Sequence, residues 1–296
     1  MFERIAETWG ISSCQVIFAL SLLFGISGCQ TTSEERIRFE GDSLMFEGRF
    51  FEHRIGLRNS EAANDNEGAV VVVIEGDGRP WAAPGRLSLD PTSPDPLLLH
   101  WFDQWPGRAI YVGRPCYFGA KEVSPPEPSV EIKTGFRLTG CDPYWFTLGR
   151  YSDPVVQSMV EAIQAGLKTD RPLILIGHSG GGTLAMLLAG RMSQVRGVIT
   201  LAGNLQVTRW QESHSYTPLY GSLDPASEPV LPAKILQLHL AASRDNVISP
   251  DWIEHEAARQ HADFLLWEGD HNDTWKQKWP EINALVQDMI ERLKSG

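Results

Sequence analysis

The chain has 296 residues, 42% of them hydrophobic and 21% charged, with a formal net charge of −11 at pH 7. That balance excludes intrinsic disorder, and an acidic chain without a basic run excludes a nucleic-acid partner held by phosphate neutralisation. The length allows one large domain with an ample core. Beyond the first thirty residues no apolar run reaches the ~20 residues of a membrane span.

Met1-Phe2-Glu3-Arg4 opens the chain, an apolar run extends from Val16 to Ile26, and Ser27-Gly28-Cys29 ends it. A charged start, an apolar stretch and a small-residue site form the pattern of a secretory signal. Ile26-Ser27-Gly28-Cys29 also resembles a bacterial lipobox, in which the cysteine is lipidated and becomes the first mature residue. Because Glu3 and Glu7 outnumber Arg4, an ordinary signal peptide or an uncleaved anchor are the alternatives. The lipobox reading implies a leader over 1–28, lipidation of Cys29, a tether over 29–36, and a lipid-anchored place in the cell envelope. Gln30, where an aspartate often marks inner-membrane retention, favours the periplasmic face of the outer membrane. Outside the cytoplasm a pair such as Cys116 and Cys141 is readily oxidised, so a disulfide is expected, with two buried thiols as the alternative. No CxxC or HExxH occurs, and His255 and His261 do not share a helix face, so no metal site is expected.

In chain order, Ile37 to Asn59 alternates around Gly41-Asp42 and Glu47-Gly48 and reads as short antiparallel strands. Asn59–Gly68 is loop-like. Ala69–Ile74 is a β-branched run expected to be buried on both faces. A proline-rich loop follows, with a helix from Pro96 to Gln104, and Ala109–Val112 is a second buried strand. Residues 113–150 hold both cysteines and little periodicity, and read as an excursion stapled by the disulfide. Val155–Leu167 has helical spacing, introduced by Asp153-Pro154 as cap and first-turn proline. Leu173–Ile176, Val198–Leu201, Ile235–Leu240 and Phe264–Trp267 read as further strands. Thr183–Met192, Trp252–Arg259 and Ile282–Leu293 read as helices, and 203–233 reads as irregular. Strands alternating with helices predict an α/β fold with a mainly parallel central sheet and helices on both faces, in a single domain over 37–296.

The sharpest signal is Gly177-His178-Ser179-Gly180-Gly181-Gly182, a G-x-S-x-G directly after a strand and directly before a helix. A serine at the apex of such a turn sits in strained backbone, so its neighbours must lack bulk. The helix N-terminus beneath it offers N–H groups to a developing oxyanion. A phosphate cradle is the competing reading, but the segment lacks the Lys-Ser/Thr of a P-loop.

With this motif and this element order, residues 37 to 293 resemble the α/β-hydrolase superfamily. The resemblance implies a nucleophile–acid–base order of Ser179, Asp245 and His271. Asp245 lies in Ala241–Ile248 after the fifth strand, with Asp224 and Asp251 as fallbacks. His271 lies in Glu268-Gly269-Asp270-His271 before the last helix. Serine alone is a poor nucleophile; an imidazole beside it can take and return a proton near neutral pH, and a carboxylate can fix its tautomer. His178 is then not the base and fills the position before the nucleophile.

The resemblance also implies two backbone N–H donors for an oxyanion, from Gly180 and, by position, from Asp77 in Glu75-Gly76-Asp77-Gly78, where Glu75-Gly76 stands in place of the His-Gly of many members. A carboxylate there is awkward, and the expectation is that it turns away or pairs with Arg79. The segment 203–233 occupies the usual place of a lid, and Trp210, Tyr216 and Tyr220, with His178, are candidate pocket residues. Four prolines and no helical stripe in that segment favour a small ester or amide over bulk lipid. More narrowly, Glu75–Gly78, Val112–Cys116, Cys141–Pro143, Ser179–Gly182 and Ala202–Leu205 resemble a group of bacterial α/β-hydrolase-like lipoproteins. Carboxylic-ester hydrolysis through an acyl-enzyme is the leading reading, with peptidase or amidase chemistry, or a non-catalytic binding lipoprotein, as alternatives. No cofactor is required.

Overall fold

The computed structural model describes residues 42–59, 68–126, 140–167 and 169–295. The proposed leader, Cys29 and the tether lie outside the described residues, as does the middle of the 113–150 excursion. The first strands, β1 (Asp42–Glu47) and β2 (Glu52–Arg58), form an antiparallel hairpin. Then come β3 (Val70–Ile74), a small hairpin of β4 (Trp81–Ala83) and β5 (Arg86–Leu87), helix α1 (Leu97–Gln104) and β6 (Ala109–Val112). Helix α2 (Asp153–Leu167), β7 (Leu173–His178), α3 (Gly180–Ala189) and β8 (Val195–Leu201) follow. The chain continues through α4 (Val207–Ser213), β9 (Leu236–Ala242), α5 (Pro250–Gln260) and β10 (Asp263–Trp267), and finishes with α6 (Asp273–Lys276) and α7 (Trp279–Ser295).

Eight strands form one sheet in the order β1-β2-β6-β3-β7-β8-β9-β10. In this sheet β2 alone is reversed, pairing antiparallel with β1 and β6, and every pair from β6 to β10 is parallel. The continuous apolar runs explain the placement. β3, β6 and β7 are buried along their whole length, which only a strand covered on both faces can be. One helical group, α1 with α6 and α7, is tied across by the Trp101 indole donating to Asn283 Oδ1 at 2.7 Å; α2 and α3 form another. Helix α1 begins after Pro96, which offers no side-chain cap. The Glu75 carboxylate takes that place from another loop, accepting from the Leu98 and Leu99 N–H groups at 2.8 and 3.3 Å.

Three local expectations are corrected. Helix α3 starts at Gly180 rather than Thr183, because glycines are tolerated where the turn beneath the strand demands them. The β4–β5 hairpin lies in a stretch read as loop. The segment 203–233 is not wholly irregular, since it contains α4, whose first N–H groups donate to Asp224, as Val207 N to Oδ1 at 3.0 Å and Thr208 N to Oδ2 at 2.9 Å. A cap seventeen residues downstream leaves no local pattern to read. Cys116 and Cys141 are joined as a disulfide, with Cα atoms 5.8 Å apart.

His53 and His239 are buried in the sheet, on β2 and β9. His53 contacts the Gly113 carbonyl and Ser158 Oγ at 2.8 and 2.6 Å, and His239 contacts Thr200 Oγ1 at 2.9 Å. Burial lowers each to about 4. Both are therefore neutral when folded and ordinary when unfolded, and the unfolded chain binds more protons between about pH 4 and 6.5. Stability is expected to fall as pH drops through that window, by about 1.4 kcal/mol per unit for each imidazole. Thermal unfolding at pH 7, 6 and 5 checks this. The His53→Gln/His239→Gln variant should be less stable at pH 7 but show a shallower pH slope.

Candidate active site

Four strand ends converge on one edge of the sheet, since β3, β7, β9 and β10 are parallel and each delivers its following loop to the same side. That is where ligands sit in open α/β sheets. Ser179 stands between β7 and α3 with φ 52° and ψ −119°, a conformation L-residues rarely adopt. Its N–H donates to the Leu201 carbonyl at 3.0 Å, and its carbonyl accepts from Gly182 and Asn204 at 2.9 and 3.0 Å. The glycines around it are sterically required. A Cβ on Gly177 would strike the Gly181 carbonyl, and a Cβ on Gly181 would strike the Ile74 carbonyl. Gly180 is required too, since a Cβ there would strike Asp77 Oδ1 and Tyr151 Oη.

Ser179 Oγ lies 3.0 Å from His271 Nε2, and His271 Nδ1 lies 2.7 Å from Asp245 Oδ2. The other Asp245 oxygen accepts from the Val247 and Ile248 N–H groups at 2.8 and 2.9 Å, so the carboxylate is fixed in orientation. Asp245 and His271 are both buried. The structure thus brings together the three side chains that the sequence singled out. It does not bring in the fallbacks: Asp224 caps α4, and Asp251 is exposed in the first turn of α5.

His178 is buried and points its Nε2 at the His271 carbonyl, 3.0 Å away, while the Trp275 indole donates to the same oxygen at 2.7 Å. Burial, then the nearby His271, lowers His178 to about 3, so it stays neutral and holds the backbone of His271. Neither contact was visible in the sequence. Trp275 lies in a stretch without a motif, and the motif itself left His178 as a free position.

Asp77 does not pair with Arg79, whose Nη2 instead donates to the Ala82 carbonyl at 3.0 Å. Its carboxylate is gripped by Arg114 Nη1 at 2.5 Å and Arg150 Nη1 at 2.8 Å, and Tyr151 Oη donates to it at 2.6 and 2.8 Å. Tyr117 Oη donates to the Asp77 carbonyl at 2.7 Å. Burial alone would raise this carboxyl, but Arg150 and Arg114 bring it far below its ordinary value. The arginines are 36 residues apart and come from two different loops, so no local pattern links them to Asp77. The residue that begins α3, Gly180, has one of the N–H groups a helix leaves unpaired at its start.

Ser179 and His271 open into a cleft of about 870 Å³. Trp210, Tyr216 and Leu219 of the 203–233 segment line it, as does Trp81 of the β4 strand; His178 reaches it also. Tyr220, a candidate pocket residue, is 54% exposed and does not line this cleft.

No protein-family model matches the sequence, and no curated protein does. Solved structures do match in fold. Alpha/beta hydrolase domain-containing protein 10 from mouse is 13% identical with a TM-score of 0.57, over 86% of this chain and 100% of that one. An esterase from Pyrococcus furiosus is 10% identical with a TM-score of 0.55, over 86% and 91%. Naproxen esterase (carboxylesterase NP) from Bacillus subtilis is 11% identical with a TM-score of 0.51, over 86% and 93%. The chain has the α/β-hydrolase fold.

The steric argument for the elbow has a direct check. Gly181→Ala should lose the folded state or several kcal/mol of stability, because the clash is with backbone that cannot swing away. Gly85→Ala, with nothing within 4 Å but a φ of +70°, should cost only about 1 kcal/mol. Denaturant unfolding of the two variants beside the wild type decides it.

Proposed function

We propose that the protein is a serine hydrolase that cleaves small carboxylic esters through an acyl-enzyme on Ser179. One observation carries the reading, the continuous relay from Ser179 Oγ through His271 to Asp245 at 3.0 and 2.7 Å. In the first half-reaction Ser179 Oγ attacks the ester carbonyl as His271 Nε2 takes its proton. The tetrahedral oxyanion is met by the N–H groups of Gly180 and Asp77. His271 then returns the proton to the departing alkoxide, leaving acyl-Ser179 and free alcohol. In the second half, His271 takes a proton from water, which attacks the acyl carbon; the acid leaves and Ser179 regains its proton. Asp245 holds the imidazole in the tautomer that faces Ser179 and stabilises the cation that forms.

Several features favour a small ester. The 203–233 segment builds a seven-residue α-helix and a three-residue 3-10 turn, and carries four prolines, which is little apolar surface for docking on bulk lipid. Trp210, Tyr216 and Trp81 give the cleft aromatic walls suited to a compact acyl or aryl group. The esterases among the structural neighbours support ester over amide. For place in the cell, we read residues 1–28 as a leader and Cys29 as the lipidated first residue, anchoring the enzyme in the envelope, outer membrane favoured. The Cys116–Cys141 disulfide suits such an oxidising compartment.

A fluorophosphonate probe tests the reading, with intact mass as the readout. One adduct is expected on the wild-type protein, none on Ser179→Ala, and none or a trace on His271→Ala. Asp245→Asn should lower kcat on p-nitrophenyl acetate by roughly 10³–10⁴-fold, through the wrong tautomer at His271. A folded wild type that takes no adduct would sink the proposal and leave the fold serving as a binding lipoprotein.

A further inference from the structure

The relay leaves unused a heavily charged buried group, the one built on Asp77. Arg114 is 2% exposed and Arg150 8%, and their guanidiniums flank one carboxylate. Arg114 also donates to the Arg150 carbonyl, and Arg150 Nε to the Thr147 carbonyl, so the pair forms one rigid fork. Tyr151 and Tyr117 complete the grip and remain protonated: burial pushes Tyr117 up to about 12 and Tyr151 well above its ordinary value. Asp77 Oδ1 fills the space where a Gly180 side chain would be, so this charge lies against the residue that offers the first oxyanion donor. Nearby ionisable groups outside the relay have partners of their own. His178 is neutral, and the Glu75 carboxyl is turned to the N–H groups of Gly76, Leu98 and Leu99.

An unmatched carboxylate at that place would repel the oxyanion, and two cations against one anion reverse the sign. Resting on the serine-hydrolase reading, we propose that Arg114 and Arg150 are positioning residues of the oxyanion site. They hold the Asp77 carboxylate and leave one unit of positive charge in excess beside the developing oxyanion. Asp77, which by position carries the second donor, thereby offers its N–H without its carboxylate opposing the oxyanion.

The test compares wild type, Arg150→Gln, Arg150→Lys, Asp77→Asn and Asp77→Asn/Arg150→Gln in the full-length protein. Each is followed by p-nitrophenyl acetate hydrolysis, fluorophosphonate labelling and thermal unfolding. Arg150→Gln removes the excess charge and should lower kcat by about 10–100-fold with little change in KM. The double variant restores the excess and should recover kcat to about tenfold above Arg150→Gln. Arg150→Lys keeps the charge but not the fork; it should hold kcat within about threefold of wild type while lowering the melting temperature. A merely structural role predicts the reverse ranking, with the double variant no faster than Arg150→Gln and Arg150→Lys as slow as Arg150→Gln. Either result would overturn the proposal, as would an Arg150→Gln protein as fast as wild type. A wild type that neither hydrolyses nor labels fails at the earlier step, and this inference falls with it.

Discussion

Everything at the site hangs on one strained residue. Ser179 is held at φ 52° and ψ −119°, a backbone state that costs about 1–3 kcal/mol for a residue with a side chain. The strain survives because the surroundings over-determine it. Leu201, Gly182 and Asn204 fix both its peptide groups, and the glycines at 177 and 181 let β3, β7 and α3 close to backbone contact. The sheet cannot relax toward the serine without breaking bonds on three elements. In return, the hydroxyl is raised clear of the strand and stands within reach of His271. The same tight turn begins α3 directly after Ser179, so the helix's free N–H groups arrive beside the hydroxyl rather than a turn away.

The rest of the site is set by how the molecule handles buried charge. An isolated ion at such depth costs several kcal/mol even after relaxation, so each must be matched. Three carboxyl groups show three solutions. Asp245 is matched by two backbone N–H groups and an imidazole. Glu75 is matched by a helix N-terminus; burial raises its pKa, and the N–H groups of Gly76, Leu98 and Leu99 oppose that rise. Asp77 alone is over-matched, by two guanidiniums and a phenol. All three sit in the loops that follow parallel strands, which brings acid chemistry to one edge of the sheet while the core beneath remains apolar.

Much of this was legible in the residues because it is local or periodic. Buried strands read as unbroken apolar runs, and the motif at Ser179 with the element order around it carried the fold and the resemblance that implied the pairing of Ser179, Asp245 and His271. The boundaries of α3 and the hairpin at Trp81 did not read, because glycines inside a helix and a two-residue strand carry no period. Helix α4 was missed for another reason, since its cap comes from Asp224. The fork on Asp77 was missed for the same reason on a larger scale: Asp77, Arg114 and Arg150 are 37 and 36 residues apart and meet only once the sheet has formed. Expecting Arg79 to be the partner followed sequence distance where the fold imposes spatial distance.

His178 shows how such non-local contacts divide labour within the site. Placed next to the nucleophile, it is the imidazole a reader of the sequence would first suspect of proton transfer. Its environment prevents that, since burial and the neighbouring His271 lower it to about 3, leaving no second proton to exchange near neutral pH. A neutral imidazole is still a good donor, and its Nε2–H meets the His271 carbonyl at 3.0 Å, beside the Trp275 indole at 2.7 Å. Two donors on one carbonyl fix the loop carrying His271 from the main-chain side, while Asp245 fixes the ring from the side chain. His271 is therefore held at both ends, by its main-chain carbonyl and by its ring, which is the rigidity that the proposed acyl transfer would need.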